Sequence, residues 1–189
     1  MIKDGSVDLA VLTGEVTKYI GRPIQAALLM INSLETWGIT QLAFDSASAL
    51  AMSGCLLETG IPVSIESSLI HLGSCVAVRG QASVGETAVA VEVQPDGFPA
   101  IEREVGAGSM DVIQWEAGVD AEIRIWPSGK FDVGLGYGRP IRVRSKLVPG
   151  SVGLVIDARG RPLEWPEDSD ERKARIEQWY RSLNAYASA

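Results

Sequence analysis

Three carboxylates, one histidine and two glycine-bearing turns are where this sequence could do chemistry. Asp45 closes the run Thr40-Gln41-Leu42-Ala43-Phe44-Asp45, which reads as a strand. Ligand sites in α/β sheets gather at the carboxyl ends of strands, so Asp45 is a candidate acid, base or nucleotide contact. Asp132 and Asp157 fall in or at the ends of later strand-like runs. Asp157 is followed by Arg159 and Arg161, and an Asp so placed reads as a fold-locking ion pair or turn cap rather than a catalyst. His71 is the only histidine. A Ser-His-Asp set would need it as base, and no G-x-S-x-G elbow accompanies it; Ser67-Ser68 is not one. His71, Cys55 and Cys75 share no metal-ligand spacing, so no catalytic set and no metal site are expected.

The two turns differ in promise. Gly134-Leu135-Gly136-Tyr137-Gly138-Arg139 has the look of a phosphate loop, but such a loop needs a following helix whose N–H groups face the phosphate. Here a strand-like run follows from Pro140, so a tight turn between strands is the reading. Thr13-Gly14-Glu15 sits between a strand and a helix, a plausible place for a nucleotide contact.

The elements that must hold these residues change character part-way along the chain. Residues 8–13 read as a buried strand, 22–36 as a helix, 40–45 as a second strand and 47–58 as a second helix ending at Gly60. In the first helix Pro23 suits the opening turn, and Ile24, Ala27, Leu28, Ile31 and Leu34 form one apolar stripe, with Gly38 as the left-handed stop. This alternation predicts βαβ units on a parallel sheet. Beyond Pro62 helical periodicity stops. Short Val- and Ile-rich runs at 74–79, 86–94, 99–105, 111–115, 119–126, 131–134, 140–146 and 152–157 read as strands. Pro95-Asp96-Gly97 and Pro127-Ser128-Gly129-Lys130 mark turns between them. A small antiparallel barrel or sandwich is predicted. A proline-bounded connector at 162–166 leads to a last helix, about 168–185, with Asp168 as cap and Glu171 as its capping-box partner. Ile176, Trp179, Tyr180 and Leu183 form its apolar stripe, which docks on the chain's own core or on a partner.

The fold class predicted is therefore mixed α+β, in three segments: 1–62 as a βαβα unit, 63–161 as a β-rich barrel or sandwich, and 162–189 as connector and helix. With 46% apolar residues the chain of 189 residues can build a real core. A net charge of −7 argues against phosphate backbones and anionic membranes as partners. Arg139, Arg142, Arg144 and Lys146 alternate along one strand, as a local anion patch or a solvated strand face. Two cysteines without a CxxC pair read as free buried thiols in a reducing compartment. No signal-peptide pattern opens the sequence and no apolar run is long enough to cross a bilayer, so the cytoplasm is expected.

Three stretches together resemble a known family. They are the segment from Gly14 to Gly60, Leu72-Gly73-Ser74 into its strand, and FDVGLGYGRP followed by VGLVIDARGRPL. They look like the C-terminal portion of the MutL/GlmL family, the glutamate-mutase-associated proteins unrelated to mismatch-repair MutL. The likeness runs over roughly residues 8 to 183, and DARGRPL with its helical tail is its most specific part. The resemblance implies a partial lobe of the actin-like ATPase superfamily at 8–60. It also implies a chaperone-like or reactivating role toward a cobalamin-dependent mutase. Thr13 and Gly14 would then fall near the adenosine-side loop and Asp45 at the end of a sheet strand. The chain departs from the family where a paired glycine is replaced by Gly14-Glu15, whose carboxylate would repel phosphate. No DxG-type phosphate loop of a first lobe is found, so ATP and Mg are expected only if a separate lobe completes the clamp. A non-catalytic accessory protein is the leading expectation, with a mutase or a companion ATPase lobe as protein partner. An interaction module with no nucleotide role, and a small-ligand enzyme using sheet-edge carboxylates such as Asp45, are the alternatives.

Overall fold

A computed structural model describes residues 7–45, 48–61, 69–116, 118–145 and 150–186. Pro62, Ser67, Ser68 and Lys146 lie outside the described residues. The class is mixed α+β, with three α-helices and eleven strands among the described residues and no closed barrel. Strands are β1 (Leu9–Leu12), β2 (Gly38–Phe44), β3 (Ile70–Ala77), β4 (Arg79–Gly80), β5 (Thr87–Pro95), β6 (Ile101–Gly106), β7 (Met110–Ile113), β8 (Ala121–Pro127), β9 (Phe131–Asp132), β10 (Ile141–Ser145) and β11 (Gly153–Asp157). Helices are α1 (Pro23–Leu34), α2 (Ala49–Glu58) and α3 (Ser169–Ser182).

A central five-stranded sheet runs in the order β1-β2-β3-β11-β7. The β1-α1-β2 unit is parallel, as the alternating pattern predicts. β3 then joins β2 antiparallel and β11 parallel, so the sheet is mixed and draws strands from both sides of Pro62. A second, antiparallel sheet in the order β10-β8-β5-β6 lies over one face. Its alternating residues Val89, Val91, Val93, Ile123 and Ile125 are buried against Val76, Ile113, Leu154 and Ile156 of the central sheet. The β-rich part is therefore an open two-sheet packing. α1 and α3 cover the opposite face, on Leu42, Leu72, Cys75 and Val155. The outward residues of the second sheet form an ion-pair ladder in which Glu122 binds both Arg124 and Arg142. Arg144 pairs with Asp96, which makes this row a solvated strand face.

Several local predictions shift in place. The left-handed stop of α1 is Glu35 (φ 46°), while Gly38 (φ 90°) opens β2. Leu34 is half exposed, and Ala26 and Met30 are buried instead, so α1 is covered on more than one stripe. Cys75 is buried as expected, but Cys55 is exposed. The correction has a simple cause: α2, on which Cys55 lies, buries only Ser53.

One glycine pair fixes the seam between the two halves of the central sheet. Gly73 of β3 lies opposite Gly153 of β11, beside a bulge where Leu42 and Ala43 face Gly73 and His71. Its φ of +134° disfavours any side chain, and a Cβ there would collide with the Gly153 carbonyl oxygen. Neither atom can yield without breaking the ladder. Gly73→Ala is expected to cost about 3 kcal/mol, read as a lowered midpoint in urea unfolding; an unshifted midpoint would show that the seam yields.

Candidate functional site

The carboxylates resolve into two settings with opposite consequences. At the end of β2, Asp45 accepts three hydrogen bonds. Thr13 Oγ1 donates to Oδ2 at 2.8 Å, Leu50 N–H to Oδ2 at 3.0 Å and Ala49 N–H to Oδ1 at 2.8 Å. Its own N–H donates to Leu12 O at 2.9 Å. Asp45 thus joins the ends of β1 and β2 to the first turn of α2, whose free N–H groups favour an anion. Burial by itself would push its carboxyl up. The hydrogen bonds from Leu50, Thr13 and Ala49 outweigh that and hold it below the ordinary carboxylate range. A sheet-edge general acid would need the opposite shift.

Thr13 and Asp45 come together beside Gly14, and the Thr13 hydroxyl is spent on the Asp45 carboxylate. Gly14 (φ 94°) starts a short 3-10 turn, Glu15–Tyr19, and its carbonyl accepts from the N–H and hydroxyl of Thr17. Glu15 points to solvent and pairs with Lys18. With the Asp45 oxygens engaged and the Glu15 carboxylate next to Gly14, this corner does not fit a nucleotide phosphate by itself.

The second setting is a buried hub on the helix-covered face. Asp157 is fully buried at the end of β11. Its Oδ1 accepts Arg159 Nε at 2.8 Å and Arg159 N–H at 3.1 Å. Its Oδ2 accepts Arg159 Nη2 at 2.8 Å and also Arg161 Nη2. Arg159 Nη1 donates to Asn32 of α1 at 2.9 Å, and the guanidinium lies 4.7 Å from the centroid of the Trp179 ring. Trp179 Nε1 in turn donates to Gly108 O at 2.7 Å. One aspartate thereby ties β11, α1 and α3 together. Burial would push Asp157 up, but the Arg159 and Arg161 guanidiniums more than offset it and keep the carboxylate ionised. Burial also pushes the neighbouring Cys75 thiol far up, so it stays protonated and inert. With four donors on its two oxygens, Asp157 has no capacity left for a substrate.

The remaining predicted residues fall into place around these settings. Asp132 caps the glycine-rich turn, accepting from Gly134 N–H at 2.7 Å and Gly136 N–H at 2.8 Å. His71 is exposed. Trp179 and Leu183 of the last helix lie in the chain's own core and Tyr180 is half buried against it. No group of three or more metal-ligating side chains occurs among the described residues. No described helix is long and apolar enough to cross a membrane. Neither protein-family models, nor curated proteins, nor solved structures give a match to this chain.

What sequence reasoning missed is the surface that Asp45 holds out. α2 is apolar in composition, ALAMSGCLLE, yet Met52 is 66% and Leu57 52% exposed, with Leu56 and Ile61 also open. The signal was available: its apolar residues ring the helix rather than form a stripe, the pattern of a helix covered on more than one side.

Proposed function

We propose that this chain is a non-catalytic accessory protein that works by docking a protein partner on α2. The observation that supports this most is the exposed apolar surface of Met52, Leu56 and Leu57 on a helix that buries only Ser53, with Ile61 exposed just beyond its end. β1 adds to it: among the described residues it pairs with β2 along one edge only, and Leu9 is half exposed at the rim of the central sheet. The resemblance in DARGRPL and the preceding strands gives the partner its class. It is a cobalamin-dependent mutase of the glutamate mutase kind, or a companion ATPase lobe, in the cytoplasm. On this reading the phosphates of ATP and any Mg would be held by the companion lobe. The role of this chain is to present α2 at a fixed angle, and Asp45 sets that angle through Thr13, Ala49 and Leu50.

The test is co-purification of the tagged chain with a mutase subunit or an ATPase lobe, repeated with Met52→Lys plus Leu57→Lys. Both side chains face solvent, so folding stability should change by no more than about 0.5 kcal/mol. Partner retention should fall at least about tenfold, because two desolvated charges would sit in an apolar interface. Retention unchanged by the double substitution would remove α2 as the docking face. ATP hydrolysis by the purified chain alone, lost in Asp45→Asn, would overturn the non-catalytic half of the proposal.

A further inference from the structure

The glycine-rich turn after β9 holds two large apolar side chains out in water. Asp132 Oδ1 accepts from the N–H groups of Gly134 and Gly136, and Gly138 N–H donates to Phe131 O at 2.9 Å, which closes the turn on itself. Gly134 (φ 117°) and Gly136 (φ 111°) take up conformations that side chains rarely adopt, so the path of this backbone is fixed by their being glycine. Leu135 and Tyr137, carried between the glycines, are 57% and 58% exposed. Apolar groups fixed in advance on a pinned turn lose little freedom when something covers them.

The cations beside the turn have no counter-charge. Elsewhere in this chain of net charge −7, Lys18, Arg103, Arg124, Lys130, Arg142 and Arg144 each meet a carboxylate. Arg79 and Arg139 are exposed, and among the described residues neither guanidinium has an acceptor. Both are nonetheless held in place. Arg79 lies 5.4 Å from the centroid of the Trp37 ring, and Arg139 packs across Gly136, where a Cβ would meet its Cδ at 3.4 Å. The two belong to one corner of the molecule. Arg79 of β4 lies opposite Asp132 of β9, the residue that pins the turn. A Cβ on Gly38, next to Trp37, would touch the Val133 carbonyl oxygen at 3.5 Å.

We propose that this corner docks an acidic, extended segment of another polypeptide, whose carboxylates meet Arg79 and Arg139 and whose apolar side chain covers Leu135 and Tyr137. Charge complementarity selects that class: exposed cations without a counter-charge stand beside exposed apolar groups on an otherwise acidic chain. A nucleic acid also offers anions, but two arginines against a net charge of −7 leave a polyphosphate strand repelled along the rest of its length. The inference does not rest on α2, which follows the far end of β2, whereas Trp37 precedes its start.

The experiment is an amide NMR titration of the whole chain with the peptide acetyl-Asp-Leu-Glu-Leu-Asp-amide and, as control, with the peptide in which every acid is lysine. Saturable shifts at Arg79, Leu135, Gly136, Tyr137 and Arg139 are expected from the acidic peptide alone, and added sodium chloride should weaken them. Arg79→Gln combined with Arg139→Gln should weaken the binding at least about tenfold, since two charge-assisted donors are lost. Leu135→Ser, on a side chain that faces solvent, should weaken it while both arginines remain. Shifts that do not saturate, that the lysine peptide reproduces, that appear equally at Arg142 and Arg144, or that persist in the variants would overturn the proposal. Tighter saturation of the same signals by oligothymidylate would also overturn it, in favour of a nucleic acid. The same shifts on raising the concentration of the chain alone would overturn it in favour of a second copy. The Met52→Lys plus Leu57→Lys chain should bind the acidic peptide as the wild type does, so failure here and failure of the α2 reading are told apart.

Discussion

Replacing Asp157 by Asn is expected to lower the unfolding free energy by about 3–5 kcal/mol, a fall in Tm on the order of 10 °C for a chain of this size. The reason is charge bookkeeping in a dry place. The Arg159 and Arg161 side chains are 1% and 4% exposed, and Asp157 is their only carboxylate partner among the described residues. The amide accepts at one oxygen only, so the fork of Arg159 loses one of its two parallel bonds and both guanidiniums keep uncompensated charge. The Asn32 tether and the Trp179 ring stay in place, so the loss is one of charge rather than of volume. Changing Asp157 to Leu together with Arg159 and Arg161 to Met should recover part of it, since apolar replacement of a whole buried network is far milder than breaking it. The pH dependence follows from the depressed carboxyl. Its contribution is fully present above the unfolded value, near pH 4, and is lost as pH falls through the lower folded value. The gap between wild type and Asp157→Asn should therefore be widest near neutral pH and narrow below about pH 4. Urea midpoints across that range decide it, and a variant as stable as wild type at pH 7 would show that the two arginines find other acceptors.

What the sequence made legible is what local chemistry dictates. The β1-α1-β2 unit follows from Pro23 and the apolar stripe of α1, and the β5–β6 hairpin follows from Pro95-Asp96-Gly97. Asp168 accepts from the N–H groups of Asp170 and Glu171, the cap that its position predicts. Glu171 does not complete the capping box; its carboxylate binds Arg175 one turn later. The sheet order was not legible. That β11 inserts between β3 and β7 depends on pairings such as Gly153 with Gly73 and Leu154 with Ile113, between residues far apart in the chain, which no window of sequence encodes. Asp45 shows a second limit. A carboxylate at a strand end is a fair site candidate, and only the positions of Thr13, Ala49 and Leu50 reveal that its oxygens serve the fold.

These placements sort the surface by what each part can do. Asp157 and Asp132 are consumed in holding β11 and the glycine-rich turn. The outer face of the second sheet is a lattice of short-range ion pairs, worth little individually and screened by salt. α2 is a part whose large apolar side chains, Met52 and Leu57 above all, are not spent on the chain's own core.

Deleting residues 167–189 is expected to abolish cooperative unfolding of the chain rather than to remove a partner site. α3 places Trp179 at 5% and Leu183 at 3% exposure, and Ala185 beyond it is fully buried. Truncating one buried tryptophan costs about 3–5 kcal/mol, and the deletion also uncovers Leu42, Leu72, Cys75 and Val155 on the central sheet. The loss extends to the hub, because the Arg159 guanidinium then faces water where the Trp179 ring had been, and Gly108 O loses its donor. Together these losses reach the lower end of the about 5–15 kcal/mol by which a typical domain is stable. A broad, non-cooperative thermal transition with exposed apolar surface is the outcome to look for. A truncated chain that unfolds sharply, near the wild-type Tm, would free the α3 stripe of Trp179, Tyr180 and Leu183 to serve as the docking face and displace α2 from that role. The contrast with the Met52→Lys and Leu57→Lys variant is what gives the experiment its meaning. Loss of binding in a chain that still melts cooperatively belongs to the interface, whereas loss of binding in a chain that no longer melts belongs to the core.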